Sequence, residues 1–326
     1  MQKVIRIGTR ESQLAVWQAT LVQSLLKDNG YNAELVYIKS EGDIDLVTPL
    51  YEMGVQGVFT RSLDIALLSN KIDIAVHSMK DVPTQLPKGI VQSAVLKRAS
   101  YKDILVRREA LGVRHKEEEE LNSPFSLTGD DLRLTPYASR LVIATSSIRR
   151  KAQWLHRYPN HAIENLRGNV NTRLRKVEES NWHGAIFAAA GLERINLRPE
   201  NSIDLDWMLP APAQGAIMVV CKEGDSYSLE ACKHFNDTDT AICTKIERDF
   251  LRVLLGGCST PISALAEIKD NGIYFRGNVV ATDGSEKAEV EQTIAFEDAA
   301  NGGALAAKTL LDNGGQAIID KINNAK

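Results

Sequence analysis

Up to about residue 222, the chain alternates short apolar runs with longer stretches in which apolar residues recur every three or four positions. The short runs predict buried strands and the periodic stretches predict amphipathic helices; the first helix carries Leu14, Trp17, Leu21 and Leu25 on one face. We predict strands at residues 3–8, 33–38, 72–76, 90–96, 103–106, 141–144, 162–166, 184–188 and 216–221. This alternation of strands and helices is typical of an α/β fold.

The C-terminal part of the chain has a different pattern. From Thr238 a long predicted helix is apolar along one face. Three strands, at residues 264–268, 273–280 and 290–295, and two helices, at residues 304–311 and 316–322, follow it. The Asp-Asn-Gly turn between the first two strands predicts an antiparallel meander, with the helices on one face. We therefore expect a separate α+β domain of about 90 residues.

Composition narrows the class of protein. The 326 residues are 44% hydrophobic and 25% charged, and the formal net charge of −3 disfavours a general nucleic-acid binder. No apolar run reaches the ~20 residues of a membrane span, and residues 1–10 lack the apolar core of a signal peptide. We therefore expect a cytoplasmic protein with no nucleic-acid or membrane partner. The length predicts two or three domains, and the proline-rich residues 209–215 predict a crossing between domains.

Arginines gather where predicted strands end. The start of a helix offers unpaired N–H groups, and arginine suits bidentate binding of carboxylates. The arginines are Arg10, Arg149, Arg150, Arg167, Arg173 and Arg194, and the hydroxyl residues beside them are Ser12, Thr145, Ser146 and Ser147. Together they predict a ligand with several carboxylates or phosphates. Neither of the usual glycine-rich nucleotide motifs is present.

The polar loop after the strand at 72–76 is a second candidate site, because ligands of open α/β sheets bind beyond the carboxyl ends of strands. It contains His77, Ser78, Lys80 and Asp81. Asp81 beside Lys80 is either a surface ion pair or a carboxylate that faces a developing cation. His77 is better interpreted as a hydrogen-bonded structural residue than as a catalytic one.

Cys258 is the one cysteine in a glycine-rich segment. Two glycines precede it and Pro261 follows, which predicts a tight, accessible turn; alternatively, the glycines only end the helix before it. Cys221, Cys232 and Cys243 lie in apolar patterns, so we expect buried thiols. The spacing of the four cysteines favours neither a metal site nor a disulfide scaffold.

Two further loops are distinctive. The glycine-punctuated residues 53–59, which include Phe59, predict a loop that covers a site. Residues 107–140 contain an acidic run and several turn formers, which predict a solvated, peripheral segment with no catalytic role.

In sequence, the chain resembles the porphobilinogen deaminase family almost from end to end. The motifs that carry the resemblance are GTRESQLA (8–15), HSMKDVPT (77–84), TSSIRR (145–150), LRGNVNTRL (166–174), AAGL (189–192), QGA (214–216) and GGCSTPI (256–262). The chain departs from the family at Glu52 and Gln56, where lysines are usual, and its acidic segment is longer than the family norm.

The resemblance implies a fold class: two similar α/β lobes of the two-domain solute-binding-protein type, followed by a C-terminal α+β domain with a three-stranded antiparallel sheet. The expected domains are residues 1–99 with 216–235, residues 104–211 with an acidic insertion at about 112–136, and residues 238–326. A monomer is expected.

The resemblance also implies an activity. The expected enzyme is a transferase, hydroxymethylbilane synthase, which joins four porphobilinogen molecules with loss of ammonia into a linear tetrapyrrole of haem biosynthesis. The implied cofactor is dipyrromethane, bound to Cys258 through a thioether, and no metal is expected. Each porphobilinogen carries an acetate and a propionate, which fits the arginine clusters.

The roles of individual residues follow from their positions in these motifs. Asp81 is the expected catalytic carboxylate. The expected cofactor-binding residues are Cys258, Lys80, Ser78, Thr145, Ser146, Ser147, Arg149, Arg150 and Gln214, and the expected substrate-binding residues are Arg10, Ser12, Phe59, Arg149, Arg167, Arg173 and Arg194.

Two other functions fit parts of the pattern. A two-lobed anion-binding protein without chemistry would explain the arginines but not the Gly-Gly-Cys segment. A hydrolase that uses Cys258 as nucleophile, with His77 or another histidine as base, would explain that segment. These two hypotheses and the transferase differ in what they require of Cys258, His77 and Asp81.

Overall fold

The computed structural model describes residues 3–39, 60–108, 141–254 and 260–325. The helices in these ranges are α1 (Gln13–Asp28), α2 (Arg61–Leu68), α3 (Ile148–Arg157), α4 (Val170–Glu179), α5 (Ala189–Glu193), α6 (Ser226–Lys233), α7 (Thr238–Leu254), α8 (Ala299–Leu310) and α9 (Gln316–Asn324). The strands are β1 (Ile5–Thr9), β2 (Ala33–Tyr37), β3 (Ile74–Ser78), β4 (Ile90–Val95), β5 (Asp103–Arg107), β6 (Val142–Ala144), β7 (Ala162–Glu164), β8 (Gly184–Ala188), β9 (Ile203–Asp204), β10 (Ile217–Lys222), β11 (Ile262–Lys269), β12 (Gly272–Val280) and β13 (Lys287–Ile294).

The first lobe, as we name it, is the five-stranded sheet β2-β1-β3-β10-β4 with its helices. β1 lies parallel to β2 and β3, whereas β10 runs antiparallel to β3 and β4. β3 and β10 are buried over nearly their whole length, which explains why they are apolar at successive positions rather than alternate ones. Helices α1 and α6 cover one face of the sheet, and α2 covers the other.

The second lobe is the sheet β7-β6-β8-β5-β9 with α3, α4 and α5, and it repeats the plan of the first. Its first three strands are parallel, and β5 runs antiparallel to β8. Helix α3 packs on one face, and α4 with α5 on the other. The prediction of two similar α/β lobes is therefore confirmed.

Two connections join the lobes, and we call them the crossing segments: residues 96–102 and 205–216. They pair with each other, since the Ala99 N–H donates to the Gly215 carbonyl at 3.1 Å. Gly215 has a φ of +88°, and a Cβ atom there would lie 2.7 Å from the Ser100 carbonyl oxygen. Only glycine therefore fits this close approach without strain.

The third sheet, β11-β12-β13, is antiparallel throughout, as the sequence predicts. Helices α7, α8 and α9 pack on one face of it around a single apolar core. In that core the rings of Phe250 and Phe275 meet edge to face, with centroids 5.0 Å apart. No helix in the described ranges is long and apolar enough to cross a membrane.

The four apolar residues predicted to share one face of α1 pack against two different parts of the structure. Leu21 and Leu25 pack against the core of the first lobe, while Ala15, Gln18, Ala19, Val22 and Leu26 form the fully buried face. Leu14 and Trp17 instead face the second lobe: Leu14 is near Gly191, and the Trp17 ring lies under Arg194. Periodicity marks apolar positions but does not say which surface they pack against.

We predict that Gly303→Ala destabilises the protein by about 1–3 kcal/mol, a typical cost of overpacking. A Cβ atom on Gly303 of α8 would lie 2.2 Å from the Ile246 carbonyl oxygen of α7, so the helices would have to separate. The free energy of unfolding in urea measures the effect. The control is Asn301→Ala at an exposed position of α8, where a change within about 0.5 kcal/mol is expected.

Candidate active site

A cavity of about 200 Å³ lies between the two lobes. Eight of the predicted site residues line it. Arg10, Ser12, Ser78, Lys80 and Asp81 come from the first lobe, and Arg150, Arg167 and Arg173 come from the second. Both lobes therefore contribute cations to a single cleft, as the positions of the arginines at strand ends predict.

Asp81 is the only carboxylate among the described residues that line this cleft. It lies in the 3₁₀ turn Met79–Asp81, which follows β3 directly. Ser78 is held at the end of β3 by the side-chain amide of Gln18, which donates to its hydroxyl at 2.9 Å. The Lys80 and Asp81 side chains both reach solvent in the cleft.

The cations of the cleft lie close enough to affect one another. Lys80 is exposed to the cleft, and desolvation by the surrounding protein nevertheless lowers the pKa of its ammonium group to about 8, opposed by the Asp81 carboxylate. Burial also lowers the pKa of Arg173 to about 10, with Arg150 and Arg167 adding repulsion. An anionic ligand would relieve this repulsion, so the cleft is suited to a polycarboxylate.

The turn before α4 places Arg173. Its Nε donates to the Gly168 carbonyl at 2.7 Å, and Gly168 has a φ of +114°. Asn169 caps α4, because its side-chain oxygen accepts from the Thr172 N–H at 3.0 Å. The LRGN sequence therefore folds as a turn and cap that direct Arg167 and Arg173 to the cleft.

Arg149 and Arg150 share a buried partner that the sequence did not reveal. Asp103, at the start of β5, is fully buried and accepts from both guanidinium groups at 2.8 Å. Gln214 also donates to it, at 2.9 Å. Burial alone would raise the pKa of Asp103, but the two arginines and Gln214 outweigh it and hold the pKa at about 2. A lone aspartate at the start of an apolar strand is the only sequence signal of this role.

Three of the predicted hydroxyl residues, Thr145, Ser146 and Ser147, make local hydrogen bonds in this structure. Thr145 Oγ1 accepts from the Ser147 N–H at 3.2 Å, and Ser146 donates to the Leu166 carbonyl. Ser147 is the N-cap of α3 and accepts from the Arg150 N–H at 3.4 Å. None of the three lines the cavity within the described part of the chain.

Neither Arg194 nor Gln214 lines the cavity: Arg194 directly follows α5 and contacts a crossing segment, and Gln214 belongs to that segment. Arg194 donates to the Gly215 carbonyl at 2.7 Å and stacks over the Trp17 ring at 5.8 Å, which joins the two lobes. Gln214 donates to the Tyr101 carbonyl at 2.7 Å, and its buried Oε1 has no hydrogen-bond partner among the described residues.

His77 is buried in β3 opposite Met218 and does not line the cavity in the described structure. Burial, reinforced by Arg10, lowers the pKa of His77 to about 4, so the ring is neutral at pH 7. Other predictions lie outside the described residues: Cys258, Phe59, Glu52, Gln56 and the acidic insertion at 112–136.

Sequence reasoning also missed Glu247, a fully buried carboxylate of α7. Arg98 of one crossing segment donates to both of its oxygens, at 2.6 and 3.0 Å. The Ala213 N–H of the other crossing segment donates to it at 2.6 Å, and the Ala266 N–H of β11 at 2.8 Å. One carboxylate therefore joins the crossing segments to the third sheet.

The fold and the site define a class: a two-lobed α/β protein with a cationic cleft for a polycarboxylate, joined to a third domain. Two family profiles match the chain. The one described as porphobilinogen deaminase, dipyromethane cofactor binding domain, matches residues 5–230, and the one described as porphobilinogen deaminase, C-terminal domain, matches residues 241–312. The chain therefore belongs to the porphobilinogen deaminase family.

Two individual porphobilinogen deaminases agree with this assignment. Porphobilinogen deaminase of Syntrophotalea carbinolica is 39% identical over 97% of this chain and 95% of its own. The chloroplastic porphobilinogen deaminase of Oryza sativa subsp. japonica is 39% identical over 90% of this chain and 79% of its own. Among solved structures, the methionine-binding protein MetQ is 13% identical over 73% of this chain and 92% of its own, with a TM-score of 0.41.

We predict that Asp103→Asn destabilises the protein by about 3 kcal/mol or more at pH 7, because two buried guanidinium groups lose their shared carboxylate. The folded pKa of Asp103 is about 2, below the value near 3.9 of an unfolded aspartate. Its stabilising effect is therefore complete above about pH 4 and is lost as the pH falls toward 2. The difference between parent and variant in the free energy of unfolding should narrow over that range.

The matched control for this prediction is Asp206→Asn. Asp206 also pairs with a cation, Lys102, at 2.7 Å, but 72% of its side chain is exposed. A loss within about 0.5 kcal/mol is expected there. Equal effects of the two substitutions would contradict the importance assigned to the buried carboxylate.

Proposed function

We propose that this chain joins four porphobilinogen molecules head to tail, with release of ammonia, into the linear tetrapyrrole hydroxymethylbilane, on a dipyrromethane group held by Cys258. The observation that carries this proposal is the charge of the cleft: among the described residues, five cationic side chains surround a single carboxylate, Asp81. Each unit added to the chain brings an acetate and a propionate, so a growing product gains anionic groups that such a cleft stabilises.

The residues around the cleft fit a dipyrromethane group. Its carboxylates match Lys80 and Arg150, which line the cavity. Gln214 is assigned to the same group, and because its side chain is buried away from the cavity wall it would contact the group only after a rearrangement. We assign Ser78, Thr145, Ser146, Ser147 and Arg149 to the same group. Thr145, Ser146 and Ser147 would exchange local hydrogen bonds for ligand contacts. When bound, the dipyrromethane supplies the free pyrrole carbon to which new units are added.

Substrate is oriented by cations from both lobes. We assign Arg10, Ser12, Phe59, Arg149, Arg167, Arg173 and Arg194 to this role. Arg149 and Arg194 hydrogen-bond to protein groups away from the cavity wall, so they would have to exchange those bonds for contacts with substrate. A guanidinium group binds a carboxylate with two parallel hydrogen bonds, so it fixes the orientation of the pyrrole ring as well as its position. Substrate bound between the lobes is thereby held against Asp81.

Asp81 is the catalytic carboxylate in this proposal. Loss of ammonia from porphobilinogen leaves positive charge on the pyrrole ring, and a fixed carboxylate stabilises that charge more than it stabilises the neutral substrate. The neighbouring Lys80, whose pKa is about 8, provides a cation for a substrate carboxylate beside the reacting ring. His77 is not used, because it is buried and neutral away from the cavity wall.

The proposal includes the domain division expected from the sequence: residues 1–99 with 216–235, residues 104–211, and residues 238–326. It also includes a monomeric state and a cytoplasmic location. Light scattering at several protein concentrations measures the oligomeric state. For a monomer, we expect a mass of about 36 kDa that does not change with concentration.

Intact mass under denaturing conditions tests the attachment of the cofactor. Protein from cells that make porphobilinogen should carry a covalent addition of two linked pyrrole units, and peptide mapping should place it on Cys258. The control is Cys243→Ser, which removes a buried thiol and should retain the addition, whereas Cys258→Ser should not. An unmodified parent without turnover would favour an anion-binding protein instead.

We predict that Asp81→Asn lowers kcat by at least about 100-fold while the fold is retained, because an amide of the same shape cannot stabilise positive charge. Single-turnover release of ammonia by protein that carries the Cys258 addition is the measurement. The control is Asp28→Asn, an exposed aspartate at the end of α1, which should leave kcat unchanged within about twofold. Undiminished turnover in Asp81→Asn would refute the role of this carboxylate.

A further inference from the structure

Arg248 lies next to Glu247 on α7 and contacts a different part of the molecule. Its guanidinium group donates to the carbonyl oxygens of Val82 and Pro83 at 2.9 and 2.6 Å, and more weakly to that of Met79 at 3.4 Å. These three carbonyls come from immediately before and after Lys80 and Asp81. A side chain of the third domain therefore holds both ends of the turn that carries the catalytic carboxylate.

The contact is not an ordinary salt bridge. Arg248 is only 9% exposed, and no carboxylate in the described part of the chain forms an ion pair with it. The adjacent Asp249 pairs with Lys245 and Arg252 instead. Burial lowers the pKa of Arg248 to about 10, opposed by the charge of Asp249, so the group is still protonated at pH 7. Burial of a cation whose partners are neutral carbonyls costs desolvation free energy that no carboxylate offsets.

The geometry of the guanidinium group explains why an arginine is suited to this position. Its N–H groups point in fixed directions within one plane, so hydrogen bonds to three carbonyls restrict the turn in rotation as well as in translation. The anchor is itself rigid, because Glu247 fixes α7 to both crossing segments and to β11. The position of the turn is thereby fixed relative to both the crossing segments and the third domain.

We propose that Arg248 is a positioning residue that holds the Asp81 carboxylate in its reactive orientation. The proposal rests on the proposed catalytic role of Asp81. A displacement of about 1 Å at a reacting group can cost on the order of 100-fold in rate, and the 3₁₀ turn is too short to hold its own geometry. Arg248 acts through the backbone and does not itself line the cleft.

The test is Arg248→Met, which keeps much of the side-chain volume but removes all three hydrogen bonds. We expect kcat to fall between about tenfold and 100-fold while KM changes by less than about threefold, because the substrate-binding arginines are untouched. Rates are expressed per folded molecule that carries the Cys258 addition, as measured by intact mass. Arg248→Lys retains the charge and can reach one carbonyl, so an intermediate kcat is expected.

The matched control is Arg252→Met, one turn further along α7. Arg252 is exposed and pairs with Asp249 at 3.0 Å, so its removal should leave kcat within about twofold of the parent value. If Arg248→Met does not fold, Arg248→Lys provides the test. A kcat within twofold of the parent in a folded Arg248 variant would overturn the proposal, whatever its melting temperature.

A double-mutant cycle with Asp81→Glu separates positioning from general stabilisation. Glutamate keeps the carboxylate but displaces it by one methylene group, so the orientation set by Arg248 is already lost. Arg248→Met should then lower kcat by less than about threefold in the Asp81→Glu background. An equal fold-loss in both backgrounds would show that Arg248 acts independently of Asp81. Full turnover in Asp81→Asn would contradict the catalytic role of Asp81 itself. Reduced turnover in Asp81→Asn, with an equal loss from Arg248→Met in both backgrounds, would contradict only the positioning role of Arg248.

Discussion

Asp103 is the carboxylate on which the architecture of the cleft depends. It is fully buried, and Arg149, Arg150 and Gln214 all donate to it. Two buried guanidinium groups without a counter-charge would repel each other and carry a large desolvation penalty. Asp103 offsets part of that penalty while leaving Arg150 on the cavity wall, where it adds to the positive field that a polycarboxylate requires.

Glu247 is a second buried carboxylate, and it accepts hydrogen bonds from both crossing segments between the lobes. The crossing segments meet at Gly215 and Ala213, and Ala213 adopts a φ of +61°, which is uncommon for a residue with a side chain. Glu247 accepts the Ala213 N–H and the Arg98 guanidinium together, so the unusual backbone has a fixed hydrogen-bond partner. Because Glu247 belongs to α7, it also joins the third sheet and its helices to the crossing segments between the two lobes.

The proposed chemistry divides the charged residues into two groups by their exposure to the cleft. Lys80, Asp81, Arg167 and Arg173 are available to ligands, whereas Asp103 and Glu247 act from inside the protein. Arg248 belongs with the second group, since it holds the turn of Asp81 through backbone carbonyls. Preorganised groups of this kind need not rearrange as charge develops, which is the physical basis of electrostatic catalysis.

The sequence by itself predicted most of the strands and helices, because the period of apolar positions reports local burial, and its ordered motifs determined the family. It missed the short strand β9, and it placed His77 and Ser78 in a loop although they belong to β3. It also predicted that Arg10, Arg150, Arg167 and Arg173 would meet, since they follow strand ends. Only the tertiary structure decided that Arg149 turns from the cleft toward Asp103, that Leu14 and Trp17 face the second lobe, and that Glu247 and Arg248 serve different segments. These contacts join residues far apart in the chain, and no local periodicity encodes such pairings.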